Sequence, residues 1–254
     1  SSEIRMWVRG AKGIFNRETG LISELEERNI YYNPTLCASM LDATLYGMVE
    51  ENKSIEILMN TTCLDAQRTD DRIRSVTGWQ LTTYTFHEVH ARIFIDCSGD
   101  SILAPLSGAE YRIGRESRDE FGENTTVDKP DKMTMGMSCL VYGRETDKDV
   151  KFIAPSYATK LTSKDFEHRK PNIHTENENF WYLELGGDRD SIADTEELRD
   201  ELVSLALGTW DYVKNSEDFS NTANWDLDFL GFLPGKRESR RMMGEYIVTQ
   251  RDIS

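Results

Sequence analysis

Hydrophobic and polar positions alternate differently in different parts of the chain. Ile4, Met6, Trp7 and Val8, then Leu21, Ile22 and Leu25, predict short helical pieces within residues 1–32, with no opening strand. Asn33 suits an N-cap and Pro34 a first helical position, where its missing N–H costs nothing. Leu36, Met40, Leu41, Leu45, Met48 and Val49 follow at helical spacing, and Glu50, Glu51 and Asn52 close that helix. The period then drops to two. Residues 55–66, 72–79 and 80–87 predict three antiparallel strands rich in Val, Ile, Thr, Tyr and Phe, with a hairpin turn at Thr69, Asp70 and Asp71. Ile93, Phe94 and Ile95 are consecutive and apolar, as in a strand covered on both faces of a parallel sheet. Ser98-Gly99-Asp100 behind them suits a backbone approaching a ligand at the carboxyl end of that strand.

Beyond residue 110 the texture loosens. Residues 114–132 are polar and read as a mobile loop, and Met133, Met135, Met137, Cys139 and Val141 alternate as a strand. Residues 144–178 are charged and irregular, with one helix expected near Lys164. Phe180 to Leu185 predicts a strand ended by Gly186-Gly187. Asp194 to Lys214 predicts a helix with Asp194 and Glu197 as a capping box, and Leu198, Leu202, Leu205, Ala206, Trp210 and Val213 as its core stripe. At the far end Phe229 to Leu233 turns at Pro234-Gly235 into an expected helix, with Met242, Met243, Tyr246 and Ile247 on its buried face. Lys236, Arg237, Arg240 and Arg241 make this segment a strong positive focus. It reads either as an anion-binding corner or as a surface whose arginines pair with Glu238 and Glu245.

Composition narrows the classes. The 254 residues carry 30 Lys+Arg against 45 Asp+Glu, a net charge of −15 that argues against nucleic acid as a partner. A hydrophobic fraction of 38% supports a core and excludes a disordered chain, and no window is apolar enough for a membrane helix. Cys37, Cys63, Cys97 and Cys139 are too scattered for a metal site and read as unpaired thiols of a reduced, cytoplasmic setting. His87 and His90 lack a partner at ligand spacing, so no metal is expected.

Ile95-Asp96-Cys97-Ser98-Gly99-Asp100, with Leu103-Ala104 and Gly108-Ala109 behind it, resembles the "D-A-T/S-G-D, then L-A, then G-A" segment of FAD-dependent oxidoreductases. These are bacterial relatives of the fumarate reductase flavoprotein and p-hydroxybenzoate hydroxylase group. Pro234 to Arg241 resembles the same family's "P-G-x-R-E-S-R-R" motif, and the order of Leu21 to Asn33, the helix after it and Ile55 to Arg68 also fits. Cys97 stands where the family usually has Ala, and the chain has no GxGxxG, the unit that cradles the FAD pyrophosphate. The resemblance therefore implies an internal segment of a longer flavoprotein, too incomplete to retain FAD alone.

The expected fold class is α/β with α+β character: a partial Rossmann-like FAD-binding sheet with a three-stranded antiparallel meander, plus a β-sheet and helix substrate domain. The expected domains are residues 1–110 (FAD-binding), 111–233 (substrate or cap) and 234–254 (return helix). By the resemblance, the Thr62 and Cys63 backbone approaches the adenine and Ser98, Gly99 and Asp100 lie near the dinucleotide. Arg237 and Arg240 would lie toward flavin and substrate, where a cation can hold a carboxylate or stabilise developing charge. The expected reaction is hydride transfer between FAD and a small organic substrate. A non-catalytic α+β module that binds an anionic ligand, and a tRNA-modifying flavoprotein, are the competing readings. With a first strand and helix absent, Ile93, Phe94 and Ile95 are expected to be exposed and to favour a homo-dimer.

Overall fold

The computed structural model describes residues 19–35, 37–171 and 183–253, and the chain falls into two units, residues 1–59 and 60–254. Expectations for residues 1–18, Leu36, His174 and the Phe180–Tyr182 start of a strand lie outside the described residues. In the first unit α1 (Leu21–Tyr32) and α2 (Ala38–Glu50) pack on one another. Arg28 reaches from α1 to Glu51 at 2.7 Å. The predicted cap is corrected: Asn33 ends α1 instead of starting α2. Its buried amide donates to Asn29 Oδ1 at 2.9 Å and to the Cys37 carbonyl at 2.7 Å, because a buried NH₂ must find acceptors, and those two flank it. The apolar face of α2 is also less covered than its spacing predicts, with Met40 and Leu45 exposed and Leu41, Met48 and Val49 half-buried.

The second unit opens with the predicted meander. β1 (Thr61–Thr69) pairs antiparallel with β2 (Arg72–Gln80), and β2 with β3 (Thr85–His90), in the order β1-β2-β3. The first turn falls where the sequence puts it, with Asp70 at φ 56°, a conformation Asp tolerates better than most residues. Two bounds move: β1 begins at Thr61, not Ile55, and residues 81–84 form a second turn instead of joining a strand.

The expected strand at 93–95 does not form. Residues 91–97 carry no regular secondary structure, Ile93 and Ile95 are 78% and 82% exposed, and Phe94 is half-buried. A strand exists through its ladder, and every ladder between the named strands is antiparallel and leaves this segment out. The segment leads to α3 (Leu103–Ser107), which packs on β1 and ends at Gly108. β4 (Tyr111–Ile113) and α4 (Arg118–Phe121) follow. The stretch expected as a mobile loop is tied across its neck: Arg115 and Asp131 exchange two backbone hydrogen bonds of 3.1 Å, and the Arg115 guanidinium grips the Asp131 carboxylate.

The core of this unit is built on α5 (Thr195–Asn215), close to its predicted bounds. β5 (Met137–Ser138) pairs with β7 (Glu184–Leu185), and β6 (Val141–Glu145) with β8 (Trp225–Leu230). α5 covers them with Leu198, Leu202, Ala206, Trp210 and Val213, against Val141, Leu183, Trp225, Met137 and Cys139. Leu205 of the predicted stripe is only half-buried. The Met133–Val141 run does not keep a period of two. Met133 and Met135 are exposed, whereas 137–141 are buried throughout, because that stretch is enclosed on both sides. Near Lys164 lies a short 3₁₀ turn, Ser163–Phe166.

The capping box predicted for α5 is not made. Asp194 is at the N-cap but sends its carboxylate to the Asp190 N–H at 3.2 Å and toward Arg189. The predicted return helix is replaced by β9 (Arg240–Met242), paired with β4 as Tyr111↔Met242 and Ile113↔Arg240. The ladder takes the backbone that a helix would need, and Gly244 favours the break. Met242, Tyr246 and Ile247, expected in a core, are exposed. A last turn, α6 (Gln250–Ile253), follows. No described helix is long and apolar enough to cross a membrane.

Candidate functional site

The turn at residues 96–103 is built by two side-chain acceptors. Asp96 Oδ1 accepts the Ser98 N–H at 2.9 Å and Asp96 Oδ2 the Leu103 N–H at 2.9 Å. Ser98 Oγ accepts the N–H groups of Asp100 and Ile102 at 3.3 and 3.2 Å. Burial pushes the Asp96 carboxyl up, but the Ser98 and Leu103 hydrogen bonds and the nearby Arg240 charge outweigh it, so the group sits below the usual carboxylate range. Two left-handed residues flank Asp100: Gly99 at φ 82° and Ser101 at φ 48°. A Cβ built on Gly99 meets nothing within 4 Å, so the turn presents an open backbone face. The Gly99 N–H donates to none of the described residues.

The Pro234–Arg241 segment closes on this turn. Lys236 Nζ pairs with Asp100 Oδ2, the buried Ser239 hydroxyl donates to Asp100 Oδ1 at 2.6 Å, and Arg240 Nε donates to the Asp100 carbonyl at 2.8 Å. Ser101 returns a hydrogen bond to the Arg240 carbonyl at 3.2 Å. Arg240 also lies over the Tyr111 ring, 5.8 Å from its centroid. The remaining cations face other ways. Arg241 binds the Gly114 carbonyl and Glu116, the latter at 2.9 Å, and Glu238 at 3.4 Å, and Arg237 lies 3.8 Å from Glu184.

The cations therefore divide. The terminal nitrogens of Arg240 make no hydrogen bond to a described residue, which leaves a planar fork for two anionic oxygens. Of the anticipated arginine partners, Glu238 serves Arg241, and none of the four cations ion-pairs with Glu245.

The two cofactor candidates on β1 are arranged less directly. The ladder slips between Cys63 and Asp65, a bulge that leaves Leu64 unpaired and exposed. Burial pushes the Cys63 thiol up, and the Asp96 and Asp65 charges add to this, which places Cys63 within electrostatic reach of the turn and makes it a poor nucleophile. No disulfide links the four cysteines. Between the hairpin end of β1–β2 and α3 lies an open cleft of about 450 Å³, with Arg68, Asp71 and Asp96 on its polar side and Phe94, Leu103 and Met242 on its apolar side.

Sequence reasoning missed two contributors. Asp190, held low by the Ala193 and Ile192 N–H groups, lies within electrostatic reach of Arg240 and Lys236. Nothing in sequence separates it from the other acidic residues. Ser239 lay inside the quoted motif, but its partner is 139 residues away.

An exposed turn with an open glycine face, beside an Arg240 whose terminal nitrogens make no hydrogen bond to a described residue, fits a phosphate-bearing dinucleotide approaching through its anionic oxygens. A family model described as FAD dependent oxidoreductase matches residues 3–254. Searches of the curated proteins and of the solved structures gave no match. The Ser-Gly-Asp turn, the arginine segment closed upon it and the match along nearly the whole chain agree, and the chain belongs to the FAD dependent oxidoreductase family, with FAD as its cofactor.

Proposed function

We propose that the protein carrying this chain transfers hydride between FAD and a small organic substrate, and that the corner of Ser98, Gly99, Asp100 and Arg240 faces the reacting groups. The observation that carries this reading is the closure of the Pro234–Arg241 segment on the Asp100 turn, with the terminal nitrogens of Arg240 making no hydrogen bond to a described residue. FAD supplies the two-electron redox chemistry; the protein supplies position and charge. Arg240 holds an anionic oxygen pair, from the substrate or the cofactor, and stabilises negative charge there. Gly99 offers its N–H to the dinucleotide, and Thr62 and Cys63 offer backbone beside the β1 bulge. Arg237 takes a secondary part, since it already faces Glu184.

In this reading residues 1–110 belong to the FAD-binding domain, 111–233 to the substrate domain and 234–254 to a returning segment. The pairing of β9 with β4 and the bonds to Asp100 support the return. The Rossmann-like character of the first domain requires ladder partners for residues 93–95.

The direct test is to express the full-length protein that carries this chain and record its visible spectrum. A yellow product that releases FAD on denaturation is expected. A folded, colourless product that takes up no FAD refutes the reading. In the loaded protein, R240A is expected to slow reduction of the flavin by substrate roughly a hundredfold, the usual scale for removing one stabilising donor, and R237A to slow it less. Equal effects of the two variants would remove the assignment to Arg240.

A further inference from the structure

The bonds between the two motifs have a direction. Asp100 is not offered to a ligand through its carboxylate: Lys236 holds one oxygen and Ser239 the other. Its carbonyl is taken by Arg240. The neighbours of Asp100 both occupy the left-handed region, and Ser101, unlike Gly99, has a Cβ that disfavours it. Such a turn persists only when its surroundings over-determine it. Asp96 and Ser98 supply the local determinants; the others come from a segment more than 130 residues away, through four hydrogen bonds: Lys236 and Ser239 to the carboxylate, Arg240 to the carbonyl, and Ser101 back to Arg240. The same bonds aim Arg240, because its Nε is fixed by a carbonyl whose own residue is clamped at the carboxylate.

We propose that Lys236 and Ser239 are positioning residues: by clamping the Asp100 carboxylate they hold the Gly99 N–H and the Arg240 fork in the arrangement that receives the anionic dinucleotide. The proposal rests on the flavoprotein reading of this site. It assigns a task to the lysine of the motif that differs from anion binding. Lys236 is spent on an internal carboxylate, and its charge reaches the ligand only through the geometry it enforces. Lys236 and Asp100 are both about three-quarters shielded from solvent, so the pair is more than a solvated surface contact. Asp190 is the further carboxylate whose charge couples to both Lys236 and Arg240.

The experiment compares wild type with K236M, K236R and S239A in the full-length protein. It reads the FAD dissociation constant by flavin fluorescence and the melting temperature without FAD. K236M is expected to weaken FAD binding about tenfold or more with a small change in melting temperature, and K236R to recover most of the affinity. S239A is expected to weaken binding by up to about tenfold, the scale of one hydrogen bond to a charged group. Wild-type affinity in a folded K236M overturns the clamp and leaves the flavoprotein reading standing. If K236M does not fold, S239A decides, and unchanged FAD affinity in it overturns the clamp. A wild-type protein that takes up no FAD overturns both.

Discussion

Asp96 shows how much one side chain fixes locally. Its two oxygens accept the N–H groups of Ser98 and Leu103, so a single carboxylate caps the turn and opens α3. Because its folded pKa lies below the ordinary carboxylate value, the stabilisation is fully present above the unfolded value of about 4 and is lost as pH falls through the folded value. D96N is expected to cost about 1–3 kcal/mol at pH 7, since an amide accepts these bonds more weakly. It should also flatten the fall of melting temperature below about pH 4 relative to wild type. Identical acid profiles for the two proteins would count against this account of the turn. In sequence, Asp96 was legible as part of a motif, but its role as acceptor for two specific N–H groups was not, because that depends on where the chain bends.

At the scale of elements, α5 was the most legible feature, since its apolar stripe repeats over nearly six turns and needs no partner to be seen. Its glycine was not. Gly208 lies inside the helix, where alanine is intrinsically better by about 1 kcal/mol. A Cβ there would come within 2.1 Å of the Thr159 carbonyl oxygen, and this contact is with backbone. The clash outweighs the propensity gain, so G208A is expected to destabilise by about 1–3 kcal/mol, the range for overpacking. Chemical denaturation at constant m-value checks the sign; a stabilised variant would mean that the 159 loop yields freely. The same logic explains the lost strand at 133–135 and the lost helix after 241. Local period proposes an element, but partners decide it: β4 claimed residues 240–242, whereas no described strand lies in ladder with 93–95.

For the whole molecule, two opposing properties set solution behaviour. Ile93 and Ile95 expose apolar side chains from a segment with no ladder, the kind of surface that associates. A net charge of −15 drives copies apart. At low salt, with a screening length near 30 Å at 10 mM, repulsion is expected to keep the chain dispersed. At 0.5 M salt, with screening reduced to a few ångströms, self-association is expected, and I95D should suppress it. Sedimentation velocity at the two salt concentrations reads this directly. A single monomeric species at both would show that the exposed segment does not drive a dimer.

What the sequence determined by itself is what local chemistry carries: the meander and its Asp70 turn, the stripe of α5, the acidic balance, and two motifs whose residue types mark the family. Tertiary structure alone decided which residues of those motifs meet. Lys236 and Ser239 reach Asp100, Arg240 Nε takes the Asp100 carbonyl, Arg241 and Arg237 are drawn to Glu116 and Glu184, and Asp190, from a loop with no signature, comes within electrostatic reach of Lys236 and Arg240. The physical reason is range. Propensity, period and turn preference act between residues a few positions apart, whereas a hydrogen bond across 139 positions exists only once the intervening chain has been packed.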